Sequence, residues 1–227
     1  MNKPTDPTRT IVSRRSRPAK EPLSREQIVK TALDLLKQEG TPGMSMRKIA
    51  KALDTGPSSL YVYVANLQEL SAAVLDEGLC EVVLPEAQKD SWKKPLIDAL
   101  LSYAKVLYES PGLAELSLST IPIGPNSLAL SEYLLQRLHE GGITSTQAAW
   151  GVDLLLFYGA SVAFEQASRN QQGTTLQAAQ TFYQSLDAKR YPMLVGVQAE
   201  MFSGGPERFR WGLEVILQGM LQTDTRS

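Results

Sequence analysis

The 227-residue chain has few of the residues on which catalytic and metal sites usually depend. It contains one cysteine, Cys80, and one histidine, His139. A single cysteine excludes an internal disulfide and is typical of a reducing compartment. The Gly-rich phosphate-binding motifs and the catalytic motifs G-x-S-x-G and H-E-x-x-H do not occur. Adjacent carboxylates such as Asp76 and Glu77 are interpreted as solvated charges. We therefore expect no enzyme activity, no cofactor and no metal.

Aromatic residues and long apolar runs are also scarce. Phe, Trp and Tyr make up 7% of the chain, and no apolar run approaches the ~20 residues of a membrane span. The first twenty residues are polar and basic, without the apolar stretch of a secretory signal. Hydrophobic residues nevertheless make up 43%, enough for a core in one large or two modest domains. We expect a cytoplasmic globular protein.

The net charge of −1 conceals an uneven distribution. Residues 1–66 contain 12 Lys and Arg against 6 Asp and Glu, whereas residues 67–227 contain 11 against 18. A basic first part on an acidic body is typical of a protein that binds nucleic acid through a separate domain, because basic groups neutralise phosphates. An uneven distribution by chance is the alternative at this level.

The stretch 45–66, SMRKIAKALDTGPSSLYVYVAN, has the pattern of two short helices joined by a tight turn. Ser45 suits an N-cap, and the apolar residues after it recur at helical spacing. Residues 54–56 interrupt the helix, and Pro57 suits the first turn of a second helix, predicted to extend to about Val64. This second helix is polar and poor in carboxylates. We therefore predict a helix-turn-helix that reads the major groove of DNA.

The candidate DNA contacts are mostly polar and basic residues of these two helices and their turn. Arg47 is predicted to make a bidentate contact with guanine. The N-terminus of the second helix is predicted to lie near phosphates. The full set is Ser45, Arg47, Lys48, Thr55, Gly56, Pro57, Ser58, Ser59, Tyr61 and Tyr63.

The rest of the chain is predicted to be helical around this element. Residues 1–22, rich in proline and basic residues, are predicted to form a disordered basic arm that either contacts DNA or has no fixed role. Residues 23–66 form the predicted DNA-binding domain, and a capping box at Ser24 begins its first helix. A linking helix is predicted for 67–84, followed by a helical regulatory and dimerisation domain at 85–227.

The run MSMRKIAKAL, followed by SLYVYVANLQEL, resembles the TetR family of bacterial repressors. The later segments PGLAEL, GPNSLALSEYLL, GVDLLLFYG and RFRWGLEVILQG resemble the C-terminal domain of its tetracycline-repressor-like branch. Two residues depart from the usual pattern: Leu67 replaces a lysine that touches a phosphate, and Asp54 replaces a glycine. The resemblance implies an all-α protein with an N-terminal three-helix helix-turn-helix domain and a helical ligand-binding and dimerisation domain. It implies a ligand-responsive repressor of a palindromic operator, whose fourth helix transmits the allosteric motion.

Two copies are needed to read a palindrome, so we expect a homodimer. The helices near 150–164 and 209–220 carry more apolar residues than one core face needs, and they are the predicted interface. Small residues would allow the helices to approach closely, and burial inside a monomer is the alternative. These small residues are Gly151, Gly159, Ala160 and Gly212.

The resemblance also implies a ligand cavity in the body, lined by apolar and aromatic residues. Because His139 is the only histidine, a metal–tetracycline chelate is not expected, and an apolar or aromatic small molecule is the predicted effector. Cys80 is predicted to be a small buried hydrophobe, with a thiol sensor as the alternative. For each cavity candidate, ordinary core packing is the alternative. These candidates are Tyr103, Leu107, Leu116, Ile121, Leu134, Leu138, Trp150, Phe157 and Tyr158.

Two other functions stay open from the sequence. The first is a small-molecule-binding or protein-interaction helical protein without an operator. The second is an activator, or an orphan regulator that has lost its ligand. A steep fall of DNA affinity with salt would distinguish an operator-binding protein from the first class.

Overall fold

The computed structural model describes residues 22–88, 91–172 and 176–223. These ranges are helical and contain no β-strand, only one isolated bridge between Gln88 and Ser91. The predicted all-α class is confirmed. The predicted basic arm lies outside the described residues except for Pro22. The helices are α1 (Arg25–Glu39), α2 (Met46–Ala52), α3 (Pro57–Leu60), α4 (Leu67–Leu79), α5 (Lys93–Glu109), α6 (Pro111–Ser119), α7 (Pro125–Glu140), α8 (Ser145–Gln172), α9 (Leu176–Gln184), α10 (Pro192–Gly196), α11 (Gln198–Met201) and α12 (Gly205–Gln222).

Helices α1 to α3 form the first unit of the fold, which we call the head (residues 22–64). The capping box of α1 is present: Ser24 Oγ accepts from the Gln27 N–H, and Gln27 Oε1 accepts from the Ser24 N–H, both at 3.2 Å. Gly40, with a φ of 69°, ends the helix as predicted. Ile28 and Leu36 are buried in the core that α1 shares with α2 and α4.

Helix α4 leaves the head and is shorter than the predicted 67–84. It begins as predicted, because the Asn66 side chain accepts a hydrogen bond from the Glu69 N–H at 2.8 Å. It ends at Leu79, and Val83 is 63% exposed. The apolar pattern continues past the end of the helix, but the Val83 N–H donates to Ser102 Oγ on α5 instead of to an α4 carbonyl.

The remaining helices form the body (residues 91–223, as described above). Helix α8 packs against α5, α6, α7 and α12 and is the central helix of this unit. The largest fully buried side chains of the body come from α5, α6 and α7, among them Leu96, Leu100, Leu107, Leu113 and Leu134. By contrast, α9, α10 and α11 contain no buried residue.

Among the described residues, one helical stretch, Ser145–Asn170, has the length and hydropathy of a membrane span. It is not an unbroken apolar run, because polar residues such as Asp153, Ser161 and Glu165 interrupt it. Its most apolar window is 39% buried inside the chain. A core helix of a soluble protein has the same properties, and α8 occupies such a central position.

Helices α8 and α12 lie antiparallel and in close contact. A Cβ atom at Gly151 would lie 2.5 Å from Met220 Cε, and one at Gly212 would collide with the Tyr158 hydroxyl. The rings of Tyr158 and Phe209 stack with centroids 5.2 Å apart. These glycines therefore allow the two helices of one chain to approach each other.

The head and the body touch directly between α1 and α6. A Cβ at Gly112 would collide with the Leu36 side chain, so Leu36 of α1 packs directly on the backbone of α6 at this point. Thr41 Oγ1 donates a hydrogen bond of 2.6 Å to Glu115 Oε2 at the edge of the contact. The head is therefore held by α6 as well as by α4.

Candidate functional site

Helix α2 and the turn after it adopt the predicted conformation. Ser45 caps α2 by accepting a hydrogen bond from the Lys48 N–H at 3.3 Å. Ile49 and Ala50 are buried on its inner face. In the turn, Asp54 has a φ of 50°, a left-handed conformation that Asp tolerates better than most residues. Asp in place of the family's glycine is thus compatible with the turn.

The second helix of the pair is shorter than the predicted 57–64. Regular helix spans Pro57–Leu60 and continues as a turn, in which the Val64 N–H still donates to the Leu60 carbonyl at 3.1 Å. The run of valine and tyrosine after Leu60 has low helix propensity, which accounts for the early end. Leu60 is fully buried, as expected of the residue that anchors this helix to the head.

The polar candidates surround these two helices at different depths. Arg47 lies on the solvent side of α2, and Tyr61 is 54% exposed just after α3. Tyr63 packs against the core of the head. The exposed candidates are Arg47, Lys48, Gly56, Pro57, Ser58 and Tyr61, and the half-buried ones are Ser45, Thr55, Ser59 and Tyr63.

An ion pair within the head engages one of the basic candidates. Lys48 Nζ lies 2.5 Å from Glu39 Oε2, and both side chains are partly exposed. The Lys48 charge is therefore partly neutralised by its own head before any phosphate approaches. Leu67, at the position of the family's phosphate-binding lysine, is 42% exposed. Arg47 and Lys51 are exposed basic residues of the same helix pair.

A cavity of about 300 Å³ lies in the body beside α4. It is surrounded by α4, α5, the end of α6 with the segment that follows it, the first turns of α7 and the middle of α8. Most of its lining residues are apolar, and hydroxyl groups and one carboxylate interrupt them. The lining residues are Leu75, Leu79, Tyr103, Ser117, Leu118, Thr120, Ile121, Pro122, Ser127, Leu130, Ser131, Asp153, Leu156 and Phe157.

Tyr103 supplies a hydroxyl group to this cavity. Burial raises the pKa of Tyr103 to about 12, against a weaker opposing effect of its hydrogen bond with Ser117. The phenol therefore stays protonated at physiological pH. A wider depression of about 520 Å³ lies on the head between α1 and residues 53–55, with a more polar lining and no part in the body.

The structure places three of the predicted cavity residues, Tyr103, Ile121 and Phe157, around this space. The others lie elsewhere. Leu107, Leu116, Leu134 and Leu138 are buried in the core, Trp150 is 65% exposed, and Tyr158 stacks on Phe209. Helical spacing identifies an apolar face but not what that face contacts, so core residues and cavity residues had the same appearance in the sequence.

Sequence reasoning also misjudged two residues at α4. Cys80 is exposed rather than buried, because α4 ends at Leu79 and the chain leaves the buried stripe. Desolvation, with help from the carboxylates of Glu77 and Glu81, raises the pKa of the Cys80 thiol, which opposes the thiolate that a sensor would need. Asp76 is buried, not solvated, and its partners on α7 are described below.

In the part of the chain that the structure describes, His139 and the acidic residues are not grouped around a common metal site. His139 is exposed in the last turn of α7, and within the described ranges no group of His, Cys, Asp and Glu is placed to hold a metal ion. Asp153, Ser127 and Glu39 are further residues that the sequence analysis did not single out. Ser127 lies at the third position of α7, not at its N-cap, and none of the three residues had a local signal in the sequence.

Comparison with known proteins identifies the family of this architecture. A family model of "Bacterial regulatory proteins, tetR family" matches residues 28–74, and one of "Tetracyclin repressor-like, C-terminal domain" matches residues 84–223. The chain belongs to the TetR family. The resemblance drawn from its sequence motifs is confirmed, and so is the fold with an N-terminal helix-turn-helix and a helical C-terminal domain. Members of this family are DNA-binding transcriptional regulators.

Individual relatives match over nearly the whole chain. An HTH-type transcriptional regulator of Saccharopolyspora erythraea is 30% identical over 203 residues, covering 88% of this chain and 86% of that protein. The HTH-type transcriptional repressor DrrR1 of Streptomyces coeruleorubidus is 27% identical and covers 91% and 80%. ActR of Streptomyces coelicolor, solved in complex with actinorhodin, is 35% identical, covers 88% and 97%, and superposes with a TM-score of 0.81.

The ion pair on Lys48 leads to a test of the surface. Glu39→Gln removes the carboxylate beside Lys48, so we expect tighter binding to a mixed-sequence duplex at low salt. If Lys48 then neutralises one more phosphate, the slope of log affinity against log salt steepens by about 0.9. Fluorescence anisotropy across a salt series measures this slope. The control is Glu132→Gln, which makes the same charge change on the exposed side of α7 and should leave the salt slope unchanged. An unaltered slope in Glu39→Gln would remove Lys48 from the phosphate contacts.

Proposed function

We propose that this TetR-family regulator is a cytoplasmic repressor that binds a palindromic operator as a homodimer and is released by a small aromatic or apolar molecule. The observation that carries the proposal is the position of α4. This helix begins directly after the helix-turn-helix and, at its other end, forms a wall of the cavity through Leu75 and Leu79. DNA binding and ligand binding therefore share one helix. The repressor relative DrrR1 and the actinorhodin complex of ActR support this reading.

The DNA contacts are assigned from exposure and chemistry. Arg47 is exposed on α2 and can reach a guanine edge with its planar guanidinium, which suits O6 and N7. Ser58 and Tyr61 are exposed on and after α3 and supply hydroxyl groups for bases and phosphates. Arg47 is therefore the base-specific contact in this proposal, with the hydroxyl groups and Lys48 holding the DNA backbone.

The proposed dimer interface is the outer side of the α8–α12 pair. Helix α8 exposes Trp150, Leu154, Phe157 and Phe164, separated by three, four or seven residues, so that they share one face. Helix α12 adds Trp211 (67% exposed) and Val215. Such a contiguous apolar area is uncommon on a monomer, and a second copy of the same pair covers it as a four-helix bundle.

The proposed effector follows from the lining of the cavity. Apolar side chains of α4, α7 and α8 make up much of its lining, and Phe157 offers a ring for stacking. The only charged side chain among the described lining residues is the carboxylate of Asp153. A site of this kind accepts neutral or cationic aromatic molecules with hydroxyl or carbonyl groups, and it disfavours anions.

The operator is tested by selecting bound sequences from a random duplex pool. We expect an enriched palindrome with half-sites about one helical turn apart, bound at low salt and lost at high salt. On the selected duplex, Arg47→Ala should cost ~1–3 kcal/mol and relax preference at one base pair per half-site. Lys51→Ala, on the same helix, is the control for a general loss of charge. An equal loss for Arg47→Ala on selected and random DNA would contradict the base contact, and failure to enrich any sequence would favour a ligand-binding protein without an operator.

The dimer is tested by sedimentation. Wild-type protein should sediment at twice its mass of 24.9 kDa. Trp211→Glu should weaken dimerisation by about 2 kcal/mol or more, as expected when a charge replaces a buried interface tryptophan. Val83→Glu replaces another exposed apolar residue, outside the α8–α12 pair, and should leave the dimer intact. An unchanged dimer in Trp211→Glu would place the interface elsewhere.

The effector class is tested with dyes on the DNA-free protein. Nile red, which is neutral, and acridine orange, which is cationic, should bind more tightly than the anionic anilinonaphthalene sulfonate. Asp153→Asn should weaken acridine orange by roughly two- to fivefold, the range of a solvent-exposed ion pair, and leave Nile red unchanged. Glu165→Gln, an exposed carboxylate farther along α8, is the matched control. Equal effects of both variants would remove Asp153 from the site.

A further inference from the structure

A buried carboxylate joins the linking helix to the first turn of α7. Asp76, on α4, is 6% exposed. Its Oδ1 accepts hydrogen bonds from both the backbone N–H and the hydroxyl of Ser127, each at 2.8 Å. Asn126 Nδ2 donates to the Asp76 carbonyl at 3.0 Å and to its Oδ2 at 3.3 Å. Four hydrogen bonds thus connect one residue of α4 with two neighbouring residues of α7.

The start of α7 depends on this carboxylate because it has no cap of its own. Its N-cap is Gly124, which has no side chain, and Pro125 at the first position has no N–H. The N–H of Ser127, at the third position, is one of the groups that an N-cap side chain normally accepts from. Asp76 provides that acceptor from a different helix, and its negative charge suits the N-terminus of a 16-residue helix.

The two helices meet at Gly124 without free space. A Cβ atom at Gly124 would collide with the carboxyl group of Asp76. The first turn of α7 therefore cannot shift toward α4, and it can move away only by giving up the hydrogen bonds of Asp76. Because that would leave a buried carboxylate and a buried N–H without partners, the contact favours two distinct states over a graded series.

This contact lies in the wall of the cavity. Leu75 and Leu79, on either side of Asp76 in α4, line the cavity, and so do Ser127 and Leu130 of α7. At its other end α4 adjoins the head, where Arg25 Nη2 lies 3.4 Å from Glu69 Oε1. A molecule that fills the cavity touches both helices that Asp76 holds together.

We propose that Asp76 is the positioning residue that couples the cavity to DNA binding. The inference rests on the proposed repressor function. Its hydrogen bonds to Ser127 hold α4 in the arrangement that binds the operator, and an effector that moves the first turn of α7 away breaks them. Coupling between two sites is reciprocal, so operator DNA must in turn stabilise the Asp76–Ser127 contact.

Reciprocity allows a test that needs no effector. Hydrogen–deuterium exchange of the Ser127 amide, read by mass spectrometry of segments covering 125–131, is measured with and without the selected duplex. We expect the duplex to slow this exchange about fivefold or more in the wild type, the lower end of coupling between allosteric sites. In Asp76→Ala the duplex should no longer slow it, although the variant still binds DNA.

Matched variants separate coupling from simple loss of structure. Glu77→Ala removes the neighbouring exposed carboxylate of α4 and should retain the full slowing. Should Asp76→Ala lose its fold by circular dichroism, Ser127→Ala serves instead, because it removes the hydroxyl bond and keeps the amide that is measured. We expect a smaller slowing in Ser127→Ala than in the wild type.

The outcomes distinguish this inference from the proposed function. A selected duplex that binds the wild type but leaves the Ser127 amide unchanged, or speeds its exchange, overturns the role of Asp76 while the operator-binding function stands. Slowing that persists in Asp76→Ala, or is undiminished in Ser127→Ala, overturns it as well. Failure to select any duplex contradicts the proposed function itself.

Discussion

The close packing of α4 against its neighbours is the constraint on which the relation between head and body depends. Helix α4 packs against α1 in the head and against α6 and α7 in the body. At Gly78 a Cβ atom would lie only 2.5 Å from Leu113 Cδ1 of α6, and at Asp76 the contact is a set of hydrogen bonds to α7. Protein interiors are packed too densely for one such helix to move alone. In the proposed mechanism, a shift of α6 or α7 is therefore transmitted through α4 to the head.

The DNA-binding surface and the proposed dimer interface require opposite surface chemistry, and different helices of the chain supply each. The surface of α2 and α3 is polar and basic, as a partner of phosphates and base edges must be. The α8–α12 pair exposes aromatic side chains such as Trp150 and Trp211, as an apolar interface between subunits requires. Phe157 belongs to both the cavity lining and this apolar face. In the proposed dimer, filling of the cavity and contact with the second subunit therefore involve the same side chain.

Local signals predicted more of this structure than long-range ones. The caps at Ser24, Ser45 and Asn66 lie within four residues of the groups they satisfy, so the sequence shows where these helices begin. Helix ends were less predictable, because the groups that follow α4 have partners elsewhere in the chain, as the Val83 N–H has in Ser102 of α5. The cavity was least predictable: Leu130 lines it and Leu134 does not, although both are buried and lie one helical turn apart. Asp76 had the appearance of a surface charge because its partners lie some fifty residues away.

Three glycines at the contacts of α4 and α6 leave no room for a larger residue, whereas residues around the cavity can be exchanged. Gly112 meets α1, Gly78 meets α6 and Gly124 meets Asp76, each so closely that an added methyl group would collide with its neighbour. The cavity lining, in contrast, includes none of the side chains that these glycines contact, and Ser127 is its one residue that bonds to Asp76. A regulator built in this way can acquire a new chemical specificity by substitution around the cavity and keep its means of response. Substitutions that change which molecule is recognised are thereby separated from the helix contacts that transmit its binding.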